Sequence, residues 1–213
     1  MQTDIDLKKI ENKDYQGIRK ALEENPGLAN EGVSLSRDDT RKAHPLHRIC
    51  DAVFSKKITD EEAIEIAKIF LHFGANINGD KLDGRDTPLL AAASLHAEQL
   101  GIFYIDNGAD VHYISGNDGE TALHWAAYCG RDKLVERLIQ AEAGINLHDR
   151  SYNGTPVDWA VHALMKNDLS NLYHQQACVK LLFEAGADVS SLDAATIKYL
   201  HGVAKDGAEL LTT

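Results

Sequence analysis

One spacing constrains this chain more than any other feature. Thr87-Pro88-Leu89-Leu90-Ala91-Ala92-Ala93, Thr121-Ala122-Leu123-His124-Trp125-Ala126-Ala127 and Thr155-Pro156-Val157-Asp158-Trp159-Ala160-Val161 start 34 residues apart, twice in succession. Self-similarity at this period marks a stacked array, in which no unit buries its apolar face alone and the neighbours supply the core. A globule built from unrelated segments is excluded.

A second motif runs in phase with the first. It reads Gly74-Ala75-Asn76-Ile77-Asn78, Gly108-Ala109-Asp110-Val111-His112 and Gly186-Ala187-Asp188-Val189-Ser190, with an altered copy at Glu142-Ala143-Gly144-Ile145-Asn146. An earlier copy of the opening motif is His44-Pro45-Leu46-His47-Arg48-Ile49-Cys50, with His in the Thr slot. These segments resemble the ankyrin repeat, whose unit opens T-P-L-H-x-A-A and closes G-A-D-V-N. The resemblance implies an all-α repeat solenoid: antiparallel helix pairs linked by β-hairpin-like loops, in one domain over residues 1–213. Its expected parts are an N-terminal cap (1–40), four repeats (41–80, 83–115, 118–150 and 152–189) and a degenerate C-terminal cap (190–213).

Residue chemistry explains the unit. Pro at the first helical position loses no hydrogen bond, and a Thr before it caps exposed N–H groups. The alanines allow close approach of inner helices. Leu134, Val135, Leu138 and Ile139 lay an apolar stripe on the outer helix, as do Ile66, Ala67, Phe70 and Leu71 in the first repeat and Cys178, Val179, Leu182 and Phe183 in the fourth. In the second repeat the stripe is Leu100, Gly101, Tyr104 and Ile105, and a mid-helix Gly costs up to about 1 kcal/mol relative to Ala. That repeat is expected to be the softest. Residues 18–24 read as the outer helix of a partial unit, stopped at Asn25-Pro26-Gly27. Because Glu142 falls in the slot of Gly74, Gly108 and Gly186, a left-handed, strained Glu142 is expected.

The period breaks in two places. From Thr slot to Gly the count is 21 in the second repeat, but 30 in the first and 31 in the fourth. The extra residues are expected between the paired helices, at residues 55–58 and 166–171. Thr59-Asp60-Glu61-Glu62 then restarts a helix with a capping box. Tolerated loop growth and added partner surface both remain open.

Composition narrows the function class. With 33 acidic against 22 basic residues the formal charge is −11, which argues against nucleic-acid binding and permits a basic partner. No signal-peptide or membrane-spanning apolar run occurs, so a cytoplasmic protein with no membrane partner is expected. Cys50, Cys129 and Cys178 lie in different repeats without C-x-x-C spacing, which points to free thiols. Of ten histidines, His47, His124 and His201 fill the T-P-L-H slot, where the resemblance implies bonds that tie adjacent units. His44 and His47 alone make no zinc site. No catalytic or phosphate-binding motif is present, so no enzyme, cofactor or metal is expected.

A binding surface remains. In the family the inner helices form a palm and the hairpins form fingers, and partners dock along them. The x of T-P-L-H-x-A-A runs Arg48, Ala91, Trp125, Trp159 and Gly202, continued by Tyr128 and His162. On the fingers stand Leu82, Tyr113, Ile114, Arg150 and Tyr152. Large rings and Arg are the residue types that most often dominate binding, although each Trp could instead pack between repeats. The expected function is a monomeric, non-catalytic scaffold that binds a folded protein partner. The alternative is a dedicated inhibitor, such as a bacterial immunity protein for a basic toxin.

Overall fold

Most of the helices that open a repeat start where a side chain accepts from an otherwise unpaired amide. In the computed structural model, which describes residues 4–34, 42–79, 86–166 and 172–198, Asp6 begins α1 (Leu7–Glu11) and Asp14 begins α2 (Tyr15–Glu24). The expected partial unit thus has both helices, and α2 starts three residues earlier than its apolar pattern indicates. Asn25 caps a 3-10 turn over Pro26–Ala29. Strand β1 (Val33–Ser34) then pairs antiparallel with β2 (Lys42–Ala43).

The four inner helices begin at the expected positions: α3 (Pro45–Phe54), α5 (Pro88–Ser94), α7 (Ala122–Tyr128) and α9 (Pro156–Met165). Thr87, Thr121 and Thr155 each accept from the amide three residues on. His44 does the work of Thr differently, its Nδ1 accepting from Leu46 N at 3.3 Å. The outer helices are α4 (Asp60–His72), α6 (Glu98–Asp106), α8 (Asp132–Gln140) and α10 (Leu172–Glu184). The Thr59–Glu62 capping box at α4 forms as expected.

The extra residues of the first and fourth repeats do not lie mainly between the helices. Inner helices α3 and α9 have 10 residues against 7 in α5 and α7, and outer helices α4 and α10 have 13 against 9 in α6 and α8. Most of the insertion is therefore one further turn on each helix of the pair. A helical turn takes 3.6 residues, so an added turn lengthens a stripe without rotating it off its neighbour.

The chain divides into two units, Met1–Tyr113 and Ile114–Thr213. In the first, α3 packs on α1, α4 and α5, while α4 packs on α2 and α6. Leu46, Ile49, Ile66, Phe70, Leu89, Leu90 and Leu100 are buried there. Tyr104 is fully buried, its hydroxyl donating to Leu46 O at 2.8 Å, and burial pushes both this phenol and the Cys50 thiol well up. In the second, α7 packs on α8 and α9, and α10 on α8 and α9, over Leu123, Leu134, Leu138, Val157 and Leu182.

Loops repeat as faithfully as helices. Asn30, Asn78 and Asn146 accept from the amides of Asn76, Asp110 and Asp188 at 2.7, 2.7 and 2.8 Å, each reaching the following turn. His112 stands in the same slot. Glu142 adopts φ +62°, as its register implies, beside Gly74 at +83° and Gly108 and Gly186 at +88°. Residues 199–213, most of the expected C-terminal cap, lie outside the described residues, as do 167–171.

Candidate functional site

The second unit brings its rings to one place because α7 and α9 are packed copies. Trp125 and Trp159 occupy the same slot one period apart, flanked by buried Ala126, Ala127 and Ala160, whose small side chains let the helices approach. The two indoles lie 5.2 Å apart between centroids, at 83°. Tyr128, one turn beyond Trp125, stands 6.0 Å from Trp125 at 89° and 5.8 Å from Trp159 at 77°. His162 stacks on Tyr128 at 6.5 Å and 21°.

A buried carboxylate fixes one of the two indoles. Asp149 accepts from the backbone amides of Ser151, Tyr152 and Gly154 and from Trp159 Nε1, the last at 3.0 Å. Burial alone would push its carboxyl up, but these four donors outweigh burial and hold it below the usual carboxylate range. The hairpin is closed by Asp149 N donating to Gly154 O at 2.9 Å. One period earlier Ser115 N donates to Glu120 O at 2.9 Å, with Ser115 in the Asp149 slot. There Trp125 Nε1 and Ser115 Oγ are buried and make no hydrogen bond among the described residues. Trp159 is tethered and Trp125 is held by packing alone.

Two T-P-L-H histidines tie repeats as the resemblance implies. Thr121 N donates to His124 Nδ1 at 3.1 Å, so Nε2 carries the proton and donates to Gly154 O at 3.2 Å. Burial lowers the His124 pKa, keeping the ring neutral. His47, also lowered by burial, bonds the backbone of Asp86. His201 lies outside the described residues.

The rings line an open groove of about 640 Å³. Tyr152, 82% exposed, and Asn153 edge it from the hairpin, and Asp158, His162, Lys166 and Ser191 complete it. Asp158 accepts from the Ser191 hydroxyl at 2.6 Å while its other oxygen accepts from Thr155.

The remaining expected residues scatter. Arg48 is a correction: expected on the palm, it is 3% exposed, donating to Val33 O at 2.8 Å and pairing with Asp51 at 2.7 Å. Strand β1 runs across its slot. Ala91 is also buried. Tyr113 is half-buried, Ile114 is 45% exposed, and exposed Arg150 donates to Gly116 O at 2.9 Å, bracing one hairpin against the next. Leu82 and Gly202 lie outside the described residues. Asp149 and Asp158 escaped the sequence reading, although the Asp149–Ser115 contrast stands one period apart.

Among the described residues no group of three or more His, Cys, Asp or Glu could hold a metal. No described helix is long and apolar enough to cross a membrane. Cys50, Cys129 and Cys178 are buried, and burial pushes the Cys129 thiol up to about 11.

A family profile described as ankyrin repeats matches residues 55–151 and 102–193. Ankyrin repeat and SOCS box protein 6 of Mus musculus is 28% identical over 133 residues, 62% of this chain and 30% of that protein. Palmitoyltransferase AKR1 of Lachancea kluyveri is 30% identical over 137 residues, covering 59% of this chain and 16% of the relative. Ankyrin repeat domain-containing protein SAT10 of Stachybotrys chartarum is 24% identical over 182 residues, 85% of this chain and 8% of the relative. The chain thus spans less than a third of each of these proteins.

Proposed function

Because the chain belongs to the ankyrin repeat family, whose all-α repeats generally serve as non-catalytic protein-interaction modules, we propose that it binds one folded protein partner through the groove between α7, α9 and the hairpin at 149–154. The observation that carries this reading is the set of half-buried rings, Trp125, Tyr128 and Trp159, lining one open groove beside exposed Tyr152. Such rings cover large area at low conformational cost. The formal charge of −11 favours a basic partner, and three buried cysteines in separate repeats suit a cytoplasmic monomer. The same charge supports the second reading, an inhibitor of a basic toxin; identification of the partner separates the two.

The test is affinity capture of the partner followed by titration. Trp125→Ala and Trp159→Ala are each expected to weaken binding by about 2 kcal/mol or more. Trp159→Ala also leaves Asp149 one donor short, so unfolding must be measured beside affinity. Lost stability with unchanged affinity of the folded fraction would return both rings to a packing role and move the site to Arg150 and Tyr152.

A further inference from the structure

We propose that Ser115 and Glu120 act together as positioning residues that leave the Trp125 wall of the groove unanchored, and so set how sharply the groove discriminates between guests. The inference rests on the groove being the partner-binding face. Residues 115, 120 and 125 stand one period before 149, 154 and 159. Their two hairpins share a backbone shape. Each is closed by a 2.9 Å bond between its end residues, and each turns through a left-handed residue in the same slot, Gly119 at φ +75° and Asn153 at +53°. The difference between the indoles therefore lies in side chains.

Two side chains make that difference, and they are linked. Asp149 reaches Trp159 Nε1 at 3.0 Å, whereas the shorter Ser115 carries only a hydroxyl. Its Oγ and Trp125 Nε1 are both buried with no hydrogen bond among the described residues. The second position is the glycine beside the anchoring bond. A Cβ built on Gly154 would stand 3.2 Å from Asp149 Oδ2 and 3.3 Å from Trp159 Nε1, closer than ordinary contact, so the anchored arrangement favours Gly there. Its counterpart is Glu120, 7% exposed. A carboxylate at 115 alone would press on the Cβ of Glu120 and set two acidic groups in one buried hairpin end, which disfavours both charges. Glycine at 120 alone would supply no acceptor. Only the two changes together rebuild the anchor.

The chain has two tryptophans, so two indole N–H signals, assigned with Trp125→Phe, report the anchoring by NMR hydrogen exchange. In the parent, Trp159 is expected to exchange roughly tenfold more slowly than Trp125, the effect of one charge-assisted hydrogen bond. Ser115→Asp with Glu120→Gly should slow Trp125 by a similar factor, and either change alone by less than about twofold. Should that pair fail to fold, Ser115→Asn with Glu120→Gly offers a neutral acceptor at the same slot, with the same expected order. Selectivity is read with two neutral probes of similar size, flat benzyl alcohol and puckered cyclohexylmethanol, titrated while both indole signals are followed. Their affinities are expected to lie within about twofold in the parent and at least about fivefold apart in the double variant. Equal exchange of both indoles in the parent, a single change that slows Trp125 as much as the pair, or probes that stay together in the double variant would each overturn the proposal. Such a failure with saturable probe binding leaves the groove as a binding face. Saturation by neither probe in any variant removes that face and the proposal with it.

Discussion

At Glu142 one side chain sits where the matching turns use glycine. A Cβ built on Gly74, Gly108 or Gly186 would meet nothing within 4 Å, so a side chain in this slot costs backbone strain rather than a clash. A left-handed residue other than Gly carries about 1–2 kcal/mol, and the greater freedom of an unfolded Gly takes back about 0.5. Glu142→Gly should therefore stabilise the protein by about 1 kcal/mol, read as a higher urea midpoint at unchanged slope. An unchanged or lower midpoint would disprove the assignment. This strain was legible because Ile77, Val111 and Ile145 hold the 34-residue register around it. Arg48 was in register too, but its burial depends on β1, a segment with no counterpart among the described residues of later repeats. The part played by Asp149 was hidden for another reason: it requires a closed hairpin and an indole turned toward it, and neither is a spacing.

Helix α6 shows how one element is finished by another. It has no side-chain cap of its own, with Ala97 at its N-cap, yet the Asp60 carboxylate from the first turn of α4 accepts from Gln99 N and Leu100 N at 3.0 and 3.1 Å. A carboxylate there satisfies two open amides and suits the positive end of the helix. Asp60→Ala should cost about 1 kcal/mol, with faster hydrogen exchange concentrated at Gln99 and Leu100. Glu61→Ala, which lacks this reach, is the control, and equal losses in both would refute a shared cap. The helix types, the starts of the inner helices and that of α4 were readable from Thr, Pro and apolar period. The added turns were not, because a count from Thr to Gly cannot divide residues between helix and loop. Both lengthened inner helices end on an exposed apolar side chain, Phe54 at 55% and Met165 at 60%.

In the whole molecule, stability is shared among neighbours, so the ends matter as much as the middle. The Ser191 hydroxyl reaches back to Asp158 and ties the start of the last segment to α9, and within that segment Asp193 accepts from Thr196 N at 2.7 Å. Removal of residues 190–213 should lower Tm by several degrees, at about 2–4 °C per kcal/mol for a chain of this size. An unchanged Tm would deny that segment a capping role. The unequal anchoring of the two indoles has a thermodynamic consequence for recognition. Trp159 is already fixed by Asp149 before any partner arrives, so little rotamer entropy remains for it to lose, whereas Trp125 has only its packing to hold it. One wall of the groove is tethered and the other only packed, so a tether given to Trp125 would raise affinity for a matching guest while narrowing the range of shapes admitted.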